Sequence, residues 1–168
     1  EPERNSAKMV VDSINKSGGI KGQKVELIAY DTAGDATKAV QLATKLIKDD
    51  KVVAIIGPST TGETMAVIPV AEKAKVPLVS CSAGSKITDP VKHYVFKTAQ
   101  NDGLAVSKIY EYLQRTKKQH VALLTVSDGF GASGREQLKA LAGRYGIKVA
   151  VDDTYGPKDT DMTAQLTK

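Results

Sequence analysis

Apolar residues along this chain follow two rhythms that alternate. Ala7, Val10, Val11 and Ile14 stand at i, i+3, i+4 and i+7, one face of a helix, and Gly18-Gly19 stops it. Val25 to Tyr30 reads as a strand. Asp35 then caps a helix whose inward face is Ala36, Ala39, Val40, Ala43, Leu46 and Ile47. Val52 to Ile56 is an unbroken apolar run, suited to a strand buried on both faces of a parallel sheet. It empties into Gly57-Pro58-Ser59-Thr60-Thr61-Gly62, where Thr60 or Thr61 caps a helix from about Glu63 to Lys75, with a kink expected at Pro69.

The unit recurs. Strands are expected at Leu78 to Ser82 and, shorter, at Tyr94 to Lys97; Asn101 or Asp102 caps a helix with Ala105, Ile109 and Leu113 inward. Val121 to Val126 is a further buried run, Leu138, Leu141, Ala142 and Tyr145 line the next helix, and Ile147 to Val151 closes the series as a strand after Gly146. Most strand starts are about 26 residues apart, the length of a strand plus its crossover helix, so the class is α/β with parallel sheets and flanking helices. The chain opens on a helix where such a sheet ordinarily opens on a strand, so it reads as a piece of something longer.

In such sheets ligands gather beyond the carboxyl ends of the strands. Three loops would share that edge or face one another across a cleft: 57–62, 82–86 and 127–134, all rich in Gly, Ser and Thr. The first supplies hydroxyls and free amides at a helix N-terminus, an environment that attracts carboxylates and phosphates. His93 and His120 both precede strands, at the opposite edge, which argues against a Ser-His pair or a histidine metal site. Asp128 and Glu63 have no fixed relation as an acid-base pair, and read as a turn or cap residue and a first-turn helix residue. Gly129-Phe130-Gly131-Ala132-Ser133-Gly134 matches G-x-G-x-x-G, with Asp152 and Asp153 about 20 residues on, so a dinucleotide-binding domain of an NAD-dependent enzyme using Gly129, Gly131 and Gly134 is the alternative reading. Against it, Ser127 and Asp128 delay the first glycine and Phe130 is bulky where the loop should turn tightly.

Composition narrows the choice further. The net charge is +5 over 168 residues, but the lysines are scattered, aromatics are 5% and there is no tryptophan, which speaks against a nucleic-acid partner. Cys81 is the single cysteine, so no internal disulfide forms, and a buried thiol is expected. No cofactor or metal is expected.

Gly18-Gly19-Ile20-Lys21-Gly22, Tyr30-Asp31, Gly57-Pro58, Val76-Pro77-Leu78-Val79-Ser80, Tyr94-Val95-Phe96-Lys97-Thr98, Asp102, Phe130-Gly131 and Asp159-Thr160-Asp161-Met162 together resemble the periplasmic branched-chain amino acid binding proteins of ABC transporters. The resemblance runs nearly the whole length, in order. It implies the type I periplasmic binding fold, with the first strand and the later part of the second lobe missing. Residues 1–99 would be the first segment of lobe one, and 100–168 the hinge crossing and first part of lobe two. It further implies a solute-binding component of an ABC importer that closes on an amino acid or related small carboxylate without chemistry, with a membrane permease as partner. The location would be periplasmic or exported, lipid-anchored if Gram-positive, its signal peptide removed.

The same resemblance assigns site positions. A hydroxyl residue three after Gly-Pro holds the ligand carboxylate, here Thr61. The family's Ser-x-Ala-x-Thr loop falls on Ser80-Cys81-Ser82-Ala83-Gly84, so backbone groups of Ser82 and Gly84 would face the ligand. Gly84 replaces the family threonine, and Ser85 is the candidate to supply the lost hydroxyl. Phe130 stands where tyrosine is usual, which leaves room for an aromatic or larger acid.

Overall fold

The computed structural model describes residues 2–168. Helix α1 (Pro2–Lys16) leads, then α2 (Ala36–Lys48), strand β1 (Ile55–Ile56), α3 (Thr61–Ala74), β2 (Leu78–Ser80) and β3 (Val95–Lys97). The second unit follows as α4 (Asp102–Arg115), β4 (His120–Val126), α5 (Gly129–Ala142), β5 (Lys148–Tyr155) and a short α6 (Thr163–Leu166). Strands β1-β2-β3 form one parallel sheet and β4-β5 another, with Ile55 opposite Leu78, Leu78 opposite Val95, and Val121 opposite Val149.

Each sheet has its own core. The first packs Ala39 and Ala43 of α2 and Val67, Ile68 and Ala71 of α3 against Ile55, Leu78, Ile87 and Val95. The second gathers Val106 and Tyr110 of α4, Ala142 of α5 and Ile147, with Leu138, Leu141 and Tyr145 beside them. Burying one such aliphatic side chain contributes about 1.5–3 kcal/mol. Tyr110 is 1% exposed and donates its hydroxyl to the Leu138 carbonyl at 2.7 Å, so burial of the ring leaves no stranded polar group.

Several expectations need correction. Among the described residues, Val25 to Tyr30 joins no ladder and carries no regular secondary structure; an isolated bridge, Ile20 with Gln23, lies just before it. Asn15 instead grips Val25 by both its backbone groups, at 2.8 Å each. The run from Val52 is not a strand buried on both faces. Only Ile55–Ile56 pairs, because only there does Leu78-Val79 lie alongside, and Val53 and Ile56 are 88% and 60% exposed. On α4 the inward face is Val106, Tyr110 and Leu113; Ile109 is half-exposed and Ala105 only partly buried. Val10 and Ala36 likewise face outward on their helices. The expected strand from Leu78 stops at Ser80, and that from Ile147 begins at Lys148 and runs on to Tyr155.

Between residues 27–32 and β1 lies a groove of about 520 Å³. Leu27, Ile28 and Tyr30 wall one side and Ile55, Ile56 and Pro58 the other, over Leu42, Leu46 and Val67. Strand β1 spends its Ile55 and Gly57 amides on the Pro77 and Val79 carbonyls of the β2 side, at 2.8 and 2.9 Å. By the alternation of a strand, the Ile56 amide turns the other way, toward the groove.

Candidate functional site

The site is built where helices α3 and α5 begin. After β1 the backbone turns at Gly57, whose φ of +106° is ground that side chains rarely occupy. Thr60 then caps α3: its hydroxyl accepts the Glu63 amide at 3.3 Å and donates to Glu63 Oε2 at 2.7 Å, so one hydroxyl serves both the backbone and the side chain of Glu63. Thr61 is the first helical residue. It is 5% exposed, its Oγ1 has no hydrogen-bond partner, and its side chain packs against Gly84. Glu63 is also buried, with Oε1 unpartnered.

Asp128 caps α5 by accepting the Gly131 amide at 2.8 Å. Gly129, the first residue of α5, touches the first turn of α3: a Cβ on Gly129 would lie 2.9 Å from the Gly62 nitrogen. Two helix N-termini thus meet, which brings the positive ends of both macrodipoles close together. An anion there is favoured by both, and Thr61 Oγ1 is a free hydroxyl beside it.

The serines on β2 and its exit have another role. Thr64, Ser80 and Ser82 form a closed triangle of hydroxyls, at 2.9, 2.8 and 3.1 Å. Ser80 is wholly buried and Ser82 nearly so. Their side chains tie β2 to α3, which leaves the backbone of 82–84 as what the loop offers. Lys97 holds that loop from below, donating to the Ala83 and Gly84 carbonyls at 2.8 and 3.3 Å. Burial pulls the Lys97 ammonium below the usual lysine range, while the Asp102 charge acts the other way. The Ser85 hydroxyl, the candidate replacement for the absent threonine hydroxyl, donates to Asn101 Oδ1 instead. Phe130, next to the Gly62–Gly129 contact in sequence, is 52% exposed. Burial raises the Cys81 thiol above its ordinary value, so the thiolate is disfavoured at neutral pH.

The dinucleotide reading meets a direct obstacle. Gly129 to Gly134 lie inside α5, so the connection from β4 is Ser127-Asp128 alone. Gly131 packs onto the end of β4, where a Cβ would come 2.8 Å from Val126 Cγ1 and closer still to the Val126 carbonyl. Asp152, the candidate ribose acid, is held by Arg135 and Lys139, and Asp153 by Lys168. His93 and His120 are exposed, and among the described residues no group of three or more His, Cys, Asp or Glu is placed to hold a metal. No described helix is long and apolar enough to cross a membrane.

Sequence reasoning missed Thr64, Lys97, Asn101, Asp102 and Ser133 as parts of one polar framework. Asn101 accepts from both Ser85 Oγ and the Gly103 amide; Ser133 Oγ donates to Asp102 Oδ2 at 2.6 Å and accepts the Ser85 amide at 3.1 Å. The exposed ion pair Lys86–Glu136, at 2.7 Å, spans the same gap.

Parallel sheets with flanking helices, joined in this order, define the type I periplasmic binding fold. The chain belongs to the periplasmic binding protein family, whose model matches residues 1–168. It is 31% identical over 167 residues to a Leu/Ile/Val-binding protein homolog of Brucella melitensis, covering 98% of this chain and 45% of that protein. The structure is similar to that of the branched-chain amino acid transporter substrate binding protein LivJ from Streptococcus pneumoniae in complex with isoleucine (TM-score 0.83, 31% identity, 98% of this chain and 47% of that one). It is similar also to a solute binding protein of an ABC transporter from Rhodopseudomonas palustris in complex with 3,4-dihydroxy benzoic acid (TM-score 0.81, 25% identity, 98% and 47%). The chain thus spans about 45% of the length of the curated relatives it matches. The family is one of solute-binding proteins, with a periplasmic or extracellular location.

Proposed function

We propose that this chain is part of the solute-binding component of an ABC importer, one that captures an amino acid or related small carboxylate between two lobes and performs no chemistry. Residues 1–99 form the first segment of lobe one; 100–168 carry the crossing and the start of lobe two. The reading rests on one observation: α3 and α5 meet at Gly62 and Gly129 with the buried, unpartnered Thr61 hydroxyl beside the meeting point. A carboxylate there would take that hydroxyl and the helix-start amides, each bond to a charged group being worth about 1.5–3 kcal/mol. The backbone of Ser82, Ala83 and Gly84 closes the same side, while Ser80 and Ser85 hold the loop in place. Phe130 offers an apolar surface without a phenol, which suits an aromatic or bulky acid, and one relative's complex with a dihydroxybenzoic acid supports that wider class.

Capture in the periplasm serves delivery to a membrane permease, and an exported protein of this kind is lipid-anchored in a Gram-positive cell. The alternative, a nicotinamide-dependent domain, has no supporting observation. Isothermal titration tests the proposal. In the full-length protein Thr61→Ala should weaken carboxylate binding about tenfold or more; an unchanged dissociation constant removes Thr61 from the site. The 168-residue chain alone should bind weakly or not at all, because lobe closure requires both lobes entire. Micromolar affinity of that chain for an amino acid would contradict this.

A further inference from the structure

We propose that Ser133 is a positioning residue: acting through Ser85, it presses the 83–85 loop into place only when the two units are together. The assignment rests on the proposed use of that loop as one wall of the ligand site. Two sets of contacts hold the loop. Lys97, from β3 of the same sheet, fixes the Ala83 and Gly84 carbonyls and stays with them whatever the second unit does. The other set comes from outside that sheet. Ser85 is 8% exposed; its hydroxyl donates to Asn101 Oδ1 at the cap of α4, and its amide donates to Ser133 Oγ, 48 residues away on α5.

Ser133 cannot turn freely to serve as that acceptor. Its proton is committed to Asp102 Oδ2 at 2.6 Å, a charge-assisted bond to a carboxylate that is 6% exposed at the start of α4. With the proton so placed, the Ser133 lone pairs face the Ser85 amide. Asp102 therefore orients Ser133, and Ser133 orients Ser85, next to the Gly84 that packs on Thr61. Any separation of α5 from the first sheet breaks the Ser85–Ser133 bond while the Lys97 bonds persist. The loop has a tight state with the units closed and a looser one with them apart. Lys86–Glu136 crosses the same gap, but at 68% and 52% side-chain exposure it is screened and adds little.

The test needs no ligand, so it stands or falls apart from the carboxylate reading. Ser133→Ala keeps a good helix former in α5 and removes the hydroxyl that Asp102 and Ser85 share. In the full-length protein, amide exchange followed by NMR should show the Ser85 amide exchanging about tenfold faster in Ser133→Ala, with core amides such as that of Leu78 unchanged. Spin labels at Lys73→Cys and Lys118→Cys, in a Cys81→Ala background, should report a broader, longer distance distribution for the same variant. Ser133→Thr, which keeps the hydroxyl, should restore both readouts. Equal Ser85 exchange and equal label distances in parent and Ser133→Ala would overturn the proposal, as would a failure of Ser133→Thr to restore what Ser133→Ala loses.

Discussion

Thr61 and Gly84 interlock: a Cβ on residue 84 would stand 3.2 Å from the Thr61 hydroxyl oxygen and nearer still to its methyl group. Where the family resemblance leads one to expect threonine, this chain therefore has no room for any side chain as long as Thr61 keeps its rotamer. Gly84→Ala should cost about 1–3 kcal/mol of stability through overpacking. Adding Thr61→Ser removes the clashing methyl and should recover most of the loss. Urea unfolding of the two single variants and the double one gives the coupling, and additive losses would show that the two residues do not meet.

The hydroxyl triangle of Thr64, Ser80 and Ser82 predicts a cost that does not depend on ligand. Thr64→Val keeps the shape and removes the vertex that bonds both serines. Ser80 and Ser82 retain each other, so the loss should be about 1–2 kcal/mol and not a collapse. Chemical denaturation measures it, and a neutral result would mean that the triangle contributes nothing net.

Two glycines of one motif should respond in opposite directions. Gly131→Ala drives a methyl into the Val126 carbonyl and should destabilise by several kcal/mol, on the order of a severe core clash. A side chain at Gly134 meets nothing within 4 Å, so Gly134→Ala should stabilise α5 by about 0.5–1 kcal/mol. A pyrophosphate loop would not sort them this way. Thermal melts of both variants decide it.

Acid should weaken the second unit through its paired carboxylates. Arg135 first, then Lys139, hold the Asp152 carboxyl below its usual range; Lys168, with the Thr154 amide, does so for Asp153. Carboxylates depressed on folding contribute stability that is present above the unfolded value near about 3.9 and drains away as pH falls through the folded one. The double variant Asp152→Asn/Asp153→Asn should therefore show a flatter decline in melting temperature below about pH 4 than the parent. Parallel acid limbs would remove these pairs from the account. Because the groups are close to solvent, added salt should shrink the difference.

Helices α2, α4 and α5 were legible because a helix face is a local fact: Ala39 and Ala43, or Leu138 and Leu141, declare it within two turns. Even so, α4 is turned one residue from the expected face, since its pattern admits Ile109 as readily as Tyr110 and only the packed ring decides. Strand β3, which follows β2 with no α-helix between, lies outside the strand spacing, whereas the parallel pairing of β1 with β2 and of β4 with β5 followed from it. Whether Val25 to Tyr30 is a strand did not, because a ladder is a property of two segments and the sequence displays one. The meeting of Thr61, Gly84 and Gly129 was half legible: the loops were named as neighbours, but that Gly129 to Gly134 wind into helix was hidden by glycine's reputation as a loop residue. The Ser80 hydroxyl is spent on Thr64 and Ser82, a use that the spacing of the loop does not foretell. The bonds from Ser133 to Asp102 and Ser85 join residues 31 and 48 positions apart, and no local pattern announces such a pair.

The groove beside β1 also has a geometric consequence. The Ile56 amide faces it from one wall and Leu27, Ile28 and Tyr30 line the other, so a further strand laid between them would find a backbone donor and an apolar lining together. Ile56→Lys would set a charge on that edge and make it a poor host for such a segment.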